Sequence, residues 1–78
     1  MKELLEYLAR GLVRHPDEVR VTEVTEEDGS VVLELSVGDG DYGSVIGRGG
    51  RTAMALRAVI KAAAIREKRR VFVDIVDT

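Results

Sequence analysis

Seventy-eight residues bound this chain to one small domain, residues 1–78, near the lower size at which an apolar core holds without staples. An apolar content of 45% is sufficient for such a core, and the absence of cysteine excludes a disulfide framework or a thiolate metal site. The net charge of −2 hides an asymmetry: residues 1–47 hold four basic and eleven acidic side chains, whereas residues 48–70 hold eight basic and one acidic. That pattern reads as one basic face on an acidic body, the footprint of a polyanionic partner, with a solvated helix that has no partner as the alternative.

Residues 2–14 place Leu4, Leu5, Leu8, Ala9, Leu12 and Val13 at helical spacing, with Pro16 as the stop. Val19 to Val24 is rich in β-branched residues and predicts a strand. Glu27-Asp28-Gly29-Ser30 follows, and Asp-Gly between two strand-like runs signals a hairpin. From Val31 to Val37, apolar Val31, Leu33, Leu35 and Val37 alternate with Val32, Glu34 and Ser36, giving a second strand with one buried face. Gly38 to Asp41 is a loop, and Asp41 is placed to cap a short helix over Tyr42 to Ile46. A glycine turn separates this helix from a long one over Thr52 to Lys68, with Leu56, Ile60 and Ala63 or Ala64 inward. Val71 to Val76 is the last strand. The order α-β-β-α-α-β predicts an α+β domain. The hairpin makes strands one and two antiparallel, and a right-handed crossover makes strands two and three parallel neighbours. The result is a three-stranded mixed sheet with the helices packed on one face.

The turn Gly47-Arg48-Gly49-Gly50-Arg51 carries the chemistry. Glycine lets the backbone approach a ligand and adopt positive φ, the arginines add fixed charge, and the helix that follows points its N–H groups and positive dipole end into the same space. Phosphate suits that combination. A tight helix–helix turn in which glycine only permits close packing is the alternative. Gly47-x-x-Gly50 fits the loop with which KH domains clamp a nucleic-acid backbone. Gly47-x-Gly49-x-x-x-Ala53 also resembles the hairpin with which helix-hairpin-helix modules grip duplex DNA phosphates; that hairpin wants an apolar residue where Arg48 stands and a second hairpin that is missing here, so it is the runner-up within nucleic-acid binding.

The whole chain resembles a type II KH domain, and more closely the small bacterial KhpA (YlqC-like) family. The resemblance rests on Met1-Lys2-Glu3-Leu4-Leu5-Glu6-Tyr7, Pro16-Asp17-Glu18-Val19, Gly43-Ser44-Val45-Ile46-Gly47-Arg48, Gly50-Arg51-Thr52-Ala53 with Leu56-Arg57, and Val73-Asp74-Ile75-Val76. It implies single-stranded RNA binding in the bacterial cytoplasm and an RNA-chaperone or post-transcriptional role touching cell elongation and shape. It also implies a homodimer, or a heteromer with a larger KH-containing protein of the KhpB/Jag type. The family usually has a polar side chain where this chain has Gly49, which implies a weaker clamp. The expected nucleic-acid-binding residues are Ile46, Gly47, Arg48, Gly49, Gly50, Arg51, Thr52 and Arg57, with Lys61 as a longer-range cation and Val45 beside Ile46 in an apolar wall for bases.

The remaining patterns are discounted. Gly38-Asp39-Gly40-Asp41-Tyr42-Gly43 matches a dinucleotide fingerprint, but the domain is too short for a doubly wound sheet and the place of a ribose-binding acid holds Ala62. Asp39 and Asp41 lack further metal ligands nearby. His15 reads as an exposed helix-end residue, and no serine or threonine has a base partner. No catalytic residue, cofactor, metal or small-molecule substrate is expected. The N-terminus lacks a leader's apolar region, and no apolar run suits a membrane. Only three aromatics, Tyr7, Tyr42 and Phe72, argue against base stacking on an aromatic platform. Single-stranded DNA is an alternative ligand. A protein-interaction or dimerisation subunit, using exposed Val32 or Val76, is the alternative from another class.

Overall fold

The computed structural model describes residues 1–77. Helix α1 spans Lys2–Arg10, strand β1 Arg20–Thr25, β2 Val31–Ser36, helix α2 Tyr42–Ile46, helix α3 Arg51–Arg66 and strand β3 Val71–Ile75. Short 3-10 turns cover Pro16–Glu18, Asp39–Asp41 and Arg48–Gly50. The element order, strand order β1-β2-β3, antiparallel β1–β2 pairing and parallel β2–β3 pairing are those expected.

The core lies between the sheet and one layer of helices. Leu5 and Ala9 of α1, Val45 of α2, and Leu56, Ile60 and Ala64 of α3 are buried against Val21, Leu33, Leu35 and Val73 of the strands. Each large apolar side chain buried in this way contributes about 1.5–3 kcal/mol of transfer free energy. Alternation along β2 is complete: Val31, Leu33 and Leu35 are buried, while Val32, Glu34 and Ser36 are half-exposed on the far face. The far face carries an apolar row across the sheet, because Val32 pairs with both Val24 and Phe72.

At the hairpin, the Gly29 N–H donates to Glu26 O at 3.0 Å and Gly29 takes φ +89°. Asp28 locks the turn. Its Oδ1 accepts from Ser30 Oγ at 2.6 Å and from Ser30 N at 2.9 Å. The Ser30 hydroxyl and backbone bonds, aided by Arg70, hold the Asp28 carboxyl below its ordinary pKa against a smaller opposing effect of burial.

Three expectations are corrected. The first helix ends at Arg10, not at residue 14, and Leu12 is 41% exposed. Glycine at position 11 weakens the helix, the Leu12 N–H closes on Ala9 O at 3.0 Å, and the next amides turn to Asp41 instead of to helix carbonyls. The second correction concerns Asp41, which precedes α2 yet makes no cap bond to it. Its carboxylate accepts from Arg14 N at 3.2 Å and His15 N at 3.0 Å, and its Oδ2 lies 3.2 Å from His15 Nδ1. His15 is therefore part of a loop-to-loop clasp. Finally, α3 stops at Arg66, because Lys68 adopts φ +59° and the Arg69 N–H reaches back to Ala64 O at 2.9 Å.

Candidate nucleic-acid interface

The turn between α2 and α3 has three glycines at positive φ: Gly47 at +77°, Gly49 at +67° and Gly50 at +78°. Gly47 is there for space as well as torsion. A Cβ at Gly47 would stand 2.7 Å from Thr52 Cβ and 2.8 Å from Thr52 N, and would run into Thr52 Oγ1. Thr52 thus sits directly under the turn. Gly49 and Gly50 face open space.

The turn's amides divide into two groups. The Gly47 N–H donates to Gly43 O at 2.9 Å, and the Gly50 N–H to Gly47 O at 3.1 Å. The Arg51 N–H donates to Arg48 O. Among the described residues, the N–H groups of Arg48 and Gly49 have no partner within the chain. No side chain caps α3, so its positive end faces the turn uncompensated. Arg48 and Arg51 are both exposed beside it.

A groove lies along α3 beyond Arg57. It encloses about 530 Å³ between α3 and the edge strand β3, with Arg57, Lys61, Ile65, Arg69, Val71 and Phe72 among its lining residues. Arg57 lies about 9 Å along the helix from Arg51, roughly one to two nucleotides of extended single strand. The floor is apolar and the rim cationic. Arg57 bends across to β3, its Nε donating to Val73 O at 3.2 Å. The Arg70 guanidinium lies 5.9 Å from the centroid of the Phe72 ring, which is 51% exposed.

The structure gathers Ile46, the four turn residues, Arg51 and Thr52 at one end of α3, and Arg57 with Lys61 further along its groove face. Ile46 is 41% exposed and available to a ligand, whereas Val45 is wholly buried in the core and forms no part of a wall for bases. Arg69, Arg70 and Phe72 were not singled out from sequence as lining residues. The signal available was their position at the start of a strand following the basic helix. Val32 and Val76 are half-buried; the exposed apolar residues of the strands are Val24 and Phe72. Among the described residues, no group of three or more His, Asp or Glu side chains could hold a metal ion, and no helix is long and apolar enough to cross a membrane.

Comparison with known proteins gives the chain a family and a fold. The family described as KhpA/KhpB, KH domain, matches residues 2–75. RNA-binding protein KhpA of Clostridium acetobutylicum is 57% identical over 76 residues, 97% of this chain and 100% of that protein. The protein of the same name from Halalkalibacterium halodurans is 56% identical over 78 residues, 99% of this chain and all of the relative. That from Mycobacterium bovis is 47% identical over 97% of this chain and 90% of its own length. Among solved structures, Aquifex aeolicus Era bound to GDP.AlF4- superposes with a TM-score of 0.58 at 17% identity. The superposition covers 95% of this chain but 28% of that one, so the likeness is one of fold.

Proposed function

Since the chain belongs to the KhpA/KhpB family of KH-domain proteins, we propose that it is a binding module for single-stranded RNA, not an enzyme. The observation that carries this reading is the pair of unpartnered N–H groups at Arg48 and Gly49, set at the positive end of α3 between two exposed arginines. One phosphate bridges those amides. Arg48 and Arg51 supply charge, Thr52 and Gly47 hold the turn's shape, and Gly50 gives the chain its left-handed entry into α3. The strand then runs along the α3–β3 groove past Arg57 and Lys61, with its bases against Ile46 and the groove floor. Affinity from one such domain is modest, because few phosphates are neutralised. A second copy, or a larger KH-containing partner of the KhpB/Jag type, raises it through effective concentration. The setting is the bacterial cytoplasm, and the role that of an RNA chaperone or post-transcriptional regulator.

The relatives' names support RNA over single-stranded DNA as the ligand. A second reading, an interaction subunit, is favoured by an apolar hollow of about 220 Å³ between α1 and α3, lined by Leu8, Leu12, Ala55, Leu56 and Val59 among others. The double variant Arg48→Asp/Gly49→Asp separates the two. It reverses charge beside the free amides, and both sites are exposed and Gly49 faces open space. Binding to a randomised short RNA pool, at low and moderate salt, is expected for the parent and lost in the variant, with circular dichroism unchanged. Equal binding by both proteins would sink the clamp assignment.

A further inference from the structure

The far face of the sheet carries apolar side chains that the core does not use. Val71 and Val73 of β3 turn inward, and Phe72 between them turns out. Phe72 stands in register beside Val32, and Val32 beside Val24, so the three form a strip across the sheet. β3 is an edge strand, and the half-exposed Phe72 ring stands on it. Phe72 and Arg70 also line the α3–β3 groove, together with Arg69. The ring therefore borders the groove at the open edge of the sheet.

Charge fixes the direction from which a polyanion can reach this ring. Arg69 and Arg70 are exposed just before it in the chain. The Arg70 guanidinium lies 5.9 Å from the ring centroid, the outer limit of a cation–π contact, and its Nη1 lies 3.9 Å from Asp28 Oδ2. Both contacts are loose, and the Arg70 side chain remains largely exposed. Two residues further along the same face, Asp74 stands beside Glu34 in register, and these carboxylates repel a phosphate. A strand leaving the groove thus meets cations before the ring and carboxylates behind it, which suits one base and not a run of them.

On the reading that single-stranded RNA occupies the α3–β3 groove, we propose that Phe72 stacks one base of the strand where it turns over the edge of β3, with Arg70 holding the phosphate beside that base. A phenyl ring offers its π-face to any base, so the contact adds affinity without choosing a sequence. The base takes the place of the loosely held guanidinium, which stays within reach of the phosphate. Three aromatics in the sequence make no platform for successive bases. One of them, set at the border of a cationic groove, serves a single base. The two arginines and the continuity with the groove favour a nucleotide over a second copy of the chain as the occupant.

The test measures binding of a randomised RNA decamer by fluorescence anisotropy for the parent, Phe72→Leu and Phe72→Trp, with the sedimentation of each recorded. Phe72→Leu keeps an apolar side chain and removes the π-face, so affinity is expected to fall about tenfold. The slope of log affinity against log salt should not change, because no charge is removed. Phe72→Trp keeps a π-face and should bind at least as tightly as the parent. The natural chain has no tryptophan, so the emission of this variant reports position 72 alone and should be quenched as the decamer saturates. Equal affinity of the parent and Phe72→Leu, or a tryptophan emission that stays constant through saturation, overturns the stacking site and leaves the RNA-binding reading standing. An affinity loss in Phe72→Leu that accompanies a change from dimer to monomer also overturns it, and assigns the strip to a contact between copies. If the parent does not bind the decamer, both readings are overturned.

Discussion

Gly47 and Gly49 occupy the same turn at nearly the same positive φ, yet the structure assigns them different tolerances. Gly47→Ala places a methyl group against Thr52 backbone and side chain and forces an L-residue into a disfavoured region. We expect it to lower stability by about 2–3 kcal/mol, read as a fall in the urea midpoint at constant slope, because neither helix end can move without disturbing the core below. Gly49→Gln meets nothing within 4 Å, so only the torsional strain of about 1–2 kcal/mol applies. Its side chain would add a polar group able to hydrogen-bond a bound strand. RNA affinity should rise; a fall would show that the turn's freedom at Gly49 matters more than the added hydrogen bond. Both glycines are visible in the sequence as a motif. The difference between them is not, because it depends on Thr52 folding back under one and away from the other.

At the scale of elements, the clasp between Asp41 and the segment after α1 joins two loops 26 and 27 residues apart. Asp41 is 1% exposed, and burial pushes its pKa up. The N–H bonds from Arg14 and His15 and the His15 ring outweigh that and bring the pKa below its ordinary value. A carboxylate with a depressed folded pKa contributes stability that is complete above the ordinary carboxylate range and disappears as pH falls through the folded value. Asp41→Asn should therefore be less stable than the parent at pH 7, with the gap narrowing below about pH 4 as the parent's own carboxylate protonates. A gap that stayed constant down to pH 2 would show that the charge on Asp41 is irrelevant. Local signals placed the six main elements to within a residue or two, save at the end of α1. There, the apolar spacing of Leu12 and Val13 continued the helical pattern, but the amides of Arg14 and His15 found a better acceptor in a distant aspartate. The same long-range bond explains why a capping role for Asp41, reasonable from its place before Tyr42, does not occur.

Over the whole molecule, charge is sorted by element. All eight basic residues of 48–70 are exposed, on the turn, on α3 and on the segment that follows it, while the acidic Glu34 and Asp74 stand side by side in register on the open face of the sheet. A single strand that contacts Arg48, Arg51 and Lys61 neutralises about three phosphates, so log affinity should fall against log salt with a slope of about −2, and Arg51→Ala should reduce that slope by about 0.7. An affinity insensitive to salt would contradict phosphate recognition altogether. The sequence by itself determined the element order, the mixed three-stranded sheet, the inward residues of β2 and α3, and the glycine–arginine turn. Each of these follows from periodicity, turn chemistry or charge within a few neighbouring positions. Only the tertiary structure decided which of the turn's amides are free, that Val45 belongs to the core and not to the ligand face, and that Arg57 reaches Val73 across the groove. Those facts depend on hydrogen bonds and contacts between elements that packing brings together, and a hydrogen-bonding group shows in sequence what it can bond to but not which partner the fold presents to it first.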